Sequence, residues 1–144
     1  GMPWSLRVPS SCCSYPYKGT SIKRKPSQKG TTMAELIKNI EKETVFKLAE
    51  QVKLEGGKVN SLTLAQAPAT KITVFAIDAD EGMSSHAAPG DALITVLEGT
   101  GEITVNSVPH QLGAGESIVM PAGAPHAVRG ITPFKMLLVV VLAA

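Results

Sequence analysis

The chain contains few aromatic residues and few cysteines, and each shortage excludes a class of protein. Phe, Trp and Tyr make up only 4% of its 144 residues, so a folded core must be built from aliphatic side chains and methionine. The two cysteines, Cys12 and Cys13, are adjacent, and neighbouring cysteines bridge each other only with strain. A disulfide framework is therefore excluded, and a reducing cytoplasm is the expected location.

Long apolar runs and a basic domain surface are lacking as well. The longest apolar run, residues 136–144, is too short to span a bilayer and is typical of a buried strand. Residues 1–32 carry six Lys or Arg and no acid, whereas residues 33–144 carry eight bases and twelve acids. Because phosphate binding needs a basic surface, a nucleic acid is not expected as a partner. Because no apolar run is long enough to span a bilayer, a membrane is not expected as one either.

The first 32 residues differ in composition from the rest. They are rich in Ser, Pro and Lys and show no helical or strand periodicity, so an irregular extension is expected. Gly1 before Met2 resembles a scar left by tag removal, and the basic composition also fits an organelle transit peptide. The interpretation we favour is a native start at Met33, which divides the chain into an extension, 1–32, and one domain, 33–144.

Within residues 33–144 the pattern is one of short strands. A short helical turn is predicted at 33–38. Strands are predicted at 58–66, 71–78, 92–98, 101–106, 109–112, 116–120, 126–129 and 134–142. Apolar residues occupy both alternating sets of the strand 71–78, so we expect it to be covered on both faces. Many short strands with almost no helix predict an all-β sandwich or small barrel.

The most specific pattern in the chain runs from Gly115 to His126 and reads G-x5-P-x-G-x2-H. It predicts a strand that Pro121 ends, since proline cannot donate to a sheet ladder. A turn at Gly123 follows, and His126 begins the next strand. A second stretch with one histidine and two acids, residues 82–99, lies upstream.

These two stretches resemble the two motifs of the cupins, in the right order and with a short segment between them. The resemblance extends from about Asn39 to Val141 and is to the small stand-alone cupin 2 conserved barrel proteins of the RmlC-like superfamily. It implies a double-stranded β-helix, that is, a jelly-roll barrel. It also implies a homodimer, because cupins commonly pair and an aliphatic edge strand needs covering.

The first motif departs from the family pattern at the metal ligands. The resemblance implies three histidines and a carboxylate, but two of these positions fall on Ala88 and Ala92. His86 remains from the first motif and His126 from the second. Asp91 is one residue from the carboxylate position, which places it on the opposite face of a strand unless a bulge re-aims it.

Three functions are therefore open for the predicted barrel. The preferred one is binding of a small molecule, largely apolar or a weak acid, in a pocket containing His86, His126, Met120 and Met136. The second is a metal-dependent enzyme of dioxygenase or isomerase type. No cofactor is required by the sequence, but His86, His126 and Asp91 are candidate ligands for a divalent transition metal (Zn, Ni, Fe, Mn or Cu). The third is a structural or regulatory barrel whose site has decayed.

Overall fold

The computed structural model of the chain describes residues 35–143. The predicted irregular extension lies outside the described residues. Within residues 35–143 the helical structure consists of the 3-10 helix Leu48–Gln51, so residues 35–38 of the predicted helical turn are not helical. No helix in this part of the chain is long and apolar enough to cross a membrane.

Nine strands follow the 3-10 helix, and the all-β prediction is confirmed. They are β1 Val59–Ala67, β2 Thr70–Ile77, β3 Gly82–His86, β4 Asp91–Glu98, β5 Thr100–Val105, β6 Val108–Gly113, β7 Ser117–Met120, β8 His126–Gly130 and β9 Phe134–Val141. The sequence patterns predict all of them except β3. Among its residues, Gly-Met-Ser-Ser-His, only Met83 is a large apolar one, so there is no alternation of apolar side chains.

The strands form two antiparallel sheets that enclose the main core. One sheet has five strands in the order β1-β2-β9-β4-β7, and the other has four in the order β3-β8-β5-β6. Buried residues of both sheets form a single cluster, with Ile94 and Met136 from the first sheet and Ile103 and Val128 from the second. Strand β9 lies at the centre of the larger sheet and pairs with β2 on one side and β4 on the other.

Strand β2 is covered on both of its faces, as its sequence predicts. Phe75 packs against the main core between the sheets, whereas Val74 and Ala76 are fully buried in a second cluster on the outer face. Val52, just after the 3-10 helix, and Leu64 of β1 complete that second cluster. The segment before β1 therefore shields part of the outer face of the five-stranded sheet from water.

Phe134 is the largest fully buried side chain, and it lies against a position that has no side chain. A Cβ atom placed on Gly101 of β5 would lie 2.5 Å from both Cε2 and Cζ of the Phe134 ring. Such a distance is far below van der Waals contact, so any larger residue would displace the ring or the strand. The glycine therefore allows the start of β9 to pack against the second sheet.

We predict that Gly101→Ala lowers the free energy of unfolding by about 1–3 kcal/mol through overpacking against Phe134. The matched control is Gly113→Ala, one position along the paired strand β6. There a Cβ atom would meet only Glu116 Oε1, at 3.8 Å. Urea unfolding of the two variants measures the difference, and equal midpoints would contradict this account of the glycine.

Candidate functional site

Strands β3 and β8 bring the two predicted site histidines side by side. His86 at the end of β3 lies directly opposite His126 at the start of β8, after an irregularity in the register that follows Met83. The ring centroids are 4.5 Å apart and the ring planes meet at 66°, an edge-to-face arrangement. The pairing of the two strands therefore fixes the distance between the two imidazoles.

The two rings share one hydrogen-bonding pattern but differ in exposure. Nδ1 of His86 lies 2.9 Å from the carbonyl oxygen of Ser84, and Nδ1 of His126 lies 3.0 Å from that of Ala124. Because a carbonyl oxygen only accepts, each Nδ1 carries the proton, and Nε2 of each neutral ring is an acceptor. His86 is exposed to solvent, whereas His126 is buried with 6% of its surface accessible.

A cavity of about 320 Å³ lies between the two sheets and includes both histidines. Four of its lining residues are polar: Lys71, Thr73, His86 and His126. The others are apolar: Phe75, Met83, Ala88, Pro89, Ala92, Ile94, Met120, Val128, Met136, Leu138, Val140 and Leu142. The predicted pocket methionines thus line the cavity and at the same time belong to the main core.

The alternation along β4 separates Asp91 from this cavity. The pairing with β9 is regular from Asp91 opposite Val141 to Val96 opposite Met136, so no bulge within this stretch turns Asp91 to the face of Ala92. Ala92 points into the cavity and Asp91 is exposed on the other face. Its Oδ1 accepts a hydrogen bond of 2.8 Å from the backbone N–H of Ala122.

The structure therefore brings His86 and His126 together and does not bring Asp91 to them. Residues 35–143 contain no group of three or more His, Cys, Asp or Glu side chains that could hold a metal ion. Asp91 instead uses its carboxylate to hold the backbone of the turn that follows β7, through the N–H of Ala122.

Lys71 and Thr73 are lining residues that the sequence reasoning missed. Both lie on β2 on the same face as Phe75, which packs against the main core. The alternation in Lys-Ile-Thr-Val-Phe places these three side chains on one face, but it does not say which face looks into the barrel. That choice depends on the pairing of β2 with β9. This pairing runs from Thr70 opposite Val141, 71 residues later in the chain, to Ile77 opposite Phe134, 57 residues later.

Comparison with known proteins identifies the family. A cupin-domain family model matches residues 73–141. The structure of a conserved protein of unknown function from Streptococcus pyogenes is 40% identical and superposes with a TM-score of 0.76, covering 78% of this chain and 99% of that one. The chain belongs to the cupins.

Two further cupins have similar structures. A cupin superfamily protein from Desulfitobacterium hafniense is 28% identical with a TM-score of 0.72, covering 76% of this chain and 100% of that one. A cupin 2 conserved barrel domain protein from Leptotrichia buccalis is 44% identical with a TM-score of 0.65, covering 67% of this chain and 47% of that one. No curated protein matches the chain.

All four motif positions that supply metal ligands in the family face the cavity of this cupin. They are His86, Ala88, Ala92 and His126, so two of the four present only a methyl group. Stable transition-metal sites use three or four protein or water ligands, and the carboxylate that cupins supply is missing here. The residues present therefore do not fit a tightly held metal ion.

Proposed function

We propose that this cupin binds a small, largely apolar molecule in its barrel, with His86 and His126 as the polar groups that orient it. The observation that carries the proposal is the cavity between the sheets, which is lined by apolar side chains and contains two adjacent imidazoles. Its volume of about 320 Å³ is near the lower end of the range for ligand pockets, about 300–1,000 Å³. The molecule should accordingly be small.

The two alanines at the motif positions support binding over metal chemistry. Replacing an imidazole and a carboxylate with the methyl groups of Ala88 and Ala92 removes two charged or polar groups from the interior. It also leaves the space they would fill next to His126. An apolar ligand gains from both changes, because burial of its surface drives binding and no unpaired polar group is left behind.

The histidines give this cavity its directional contacts. With each Nδ1–H already donated to a backbone carbonyl, each Nε2 is available to accept a hydrogen bond from an O–H or N–H of the ligand. A buried hydrogen bond of this kind contributes about 0.5–1.5 kcal/mol net, so a donor on the ligand should improve its affinity severalfold.

We predict that fluorobenzene and 4-fluorophenol both bind to the purified protein, the phenol more tightly because its O–H donates to a histidine Nε2. Ala92→Leu should weaken binding of both, because the added carbons occupy part of the cavity, and the double variant His86→Ala/His126→Ala should remove the advantage of the phenol. Fluorine NMR titrations measure each affinity.

The matched control is Leu93→Met, the next residue on the same strand, which is exposed on the opposite face. If neither probe binds, the proposal is contradicted, and a structural or regulatory barrel becomes the better account.

A metal-dependent enzyme is the second candidate, and one observation favours it. Metal-binding histidines commonly donate their other ring N–H to a backbone carbonyl, as both His86 and His126 do. A metal at this position would supply Lewis-acid chemistry. The incomplete ligand set described above weighs against a stable complex, because only two protein ligands are assembled.

Elemental mass spectrometry on protein purified without a His-tag distinguishes the two candidates. We expect far less than one Zn, Ni, Fe, Mn or Cu per chain, with no change in the double variant His86→Ala/His126→Ala. A metal content close to one per chain that the double variant loses would instead establish the metal-dependent alternative. The double variant serves as the control for metal that is bound elsewhere.

We also propose that the protein is a homodimer, formed through an apolar patch on the outer face of the five-stranded sheet. The aliphatic strand β9 is central in that sheet, so it is not the edge that needs covering. Instead Leu93, Val119 and Val141 are 38%, 56% and 57% exposed on three adjacent strands. Exposed apolar patches next to an edge strand such as β7 are typical of protein interfaces.

Light scattering coupled to size-exclusion chromatography tests the dimer. We expect the mass of the wild type to be twice that of the 15.1 kDa chain, and Val119→Lys to give the monomer mass. The matched control is Val108→Lys, which changes a valine of similar exposure (54%) in the other sheet and should leave the dimer intact. A monomeric wild type at micromolar concentration would refute the proposal.

A further inference from the structure

The wall of the cavity that β2 forms carries the side chains of Lys71 and Thr73, which the binding proposal above does not use. Lys71 is exposed and lies on the same face of its strand as Thr73, which is buried with 4% of its surface accessible. The same combination occurs on the opposite wall, where His86 is exposed and His126 is buried. The exposed pair thus marks the mouth of the cavity, and the buried pair lies deeper.

The positive charge of Lys71 has no protein counter-charge in the described part of the chain. The ion pairs of residues 35–143 include those of Lys58 with Glu55, Arg129 with Asp80 and Glu102, and Lys135 with Glu98. Lys71 belongs to none of them, and its cross-strand neighbours, Gln66 and Val140, are uncharged.

The lining of the cavity also contains no acidic residue. Its ionisable groups are the ammonium of Lys71 and the two imidazoles, and none of these groups can carry a negative charge. A cationic ligand would meet only like charge there. An anionic ligand would meet a cation that has no partner in residues 35–143.

We infer that the molecule bound in the barrel is a small monocarboxylic acid with an apolar body. Its carboxylate lies at the mouth, beside the ammonium of Lys71, and its body lies against the methionines and aliphatic side chains farther in. This inference rests on the proposed binding function and adds the chemical class of the ligand.

Because Lys71 lies at the mouth, the carboxylate that it binds also lies at the mouth and is not fully buried. A fully buried carboxylate loses its hydration at a large cost, whereas one at the mouth keeps part of it while the apolar body is desolvated. The hydrogen bond from an ammonium to a carboxylate is charge-assisted and stronger than one between neutral groups.

The same lining argues against a phosphate group as the anion. Phosphate sites in proteins use several converging donors, such as arginine side chains or the N-terminus of a helix. This cavity offers one lysine, no arginine and only strands and loops for its walls. A single negative charge on a planar carboxylate matches that limited set.

Isothermal titration with matched acids and amides tests the inference. The probes are hexanoate and benzoate, each paired with its neutral amide. We expect each acid to bind about tenfold more tightly than its amide, which corresponds to one charge-assisted contact. Because Lys71 is exposed, raising the salt concentration should weaken binding of the acids and leave the amides unchanged.

Variants of Lys71 assign the preference to this residue. Lys71→Met should lower the affinity for each acid to that for its amide, and Lys71→Arg, which keeps the charge, should retain the preference. The matched control is Lys53→Met, which removes an exposed lysine outside the cavity and should change neither affinity. Circular dichroism of each variant confirms that the fold is intact.

The possible failures are distinguishable. If acid and amide bind the wild type equally, the carboxylate inference is overturned while the proposed binding function stands. If Lys71→Met binds the acids as tightly as the wild type does, the role of Lys71 is overturned. If neither the acids and amides nor fluorobenzene bind, both the inference and the proposed function fail.

Discussion

The pairing of β9 with both β2 and β4 is the interaction on which the rest of the structure depends. These two strands meet only through β9, which inserts between them although it comes last in the chain. One face of β9 supplies Phe134 and Met136 to the main core, and the other supplies Leu137 to the outer cluster. The sheet, the core and the cavity are therefore all completed by the same strand. Since its pairing partners are far away in the sequence, these contacts form at a cost in loop-closure entropy.

The backbone frame of the site is separable from its chemistry. Gly123 adopts a left-handed conformation (φ 81°), and its turn, which follows Pro121, connects β7 to His126. Such positions are constrained because few residues tolerate that backbone conformation. Ala88 and Ala92 face a cavity, where the backbone imposes no particular side chain. A cupin can therefore keep its barrel while the residues inside it change, which is why the fold alone does not determine the function.

Local patterns predict most of the strands but only part of the site. The predicted strands are those that have alternating apolar residues or a continuous apolar run, with proline or glycine at their ends. Strand β3 is not predicted because Gly82–His86 contains a single large apolar side chain, that of Met83, which is too few to mark a face. Asp91 and Lys71 show a second reason why sequence patterns predict the site only in part. Alternation tells which residues share a face, whereas only the register with β9 decides that Ala92 and Lys71 look inward and Asp91 outward.

The selectivity of such a cavity rests on very few groups. Nδ1 of His126 is satisfied by the carbonyl oxygen of Ala124, so its Nε2 is the atom that a ligand must satisfy. No buried side-chain nitrogen or oxygen of residues 35–143 lacks a partner, which means that this Nε2 remains accessible from the cavity. A molecule that fills the cavity without donating to it would leave the nitrogen buried and unpaired, at a cost of about 1–3 kcal/mol. Under the proposed binding function, apolar surface would provide the affinity, and the buried imidazole of His126 together with His86 and Lys71 at the mouth would decide which small molecule is retained.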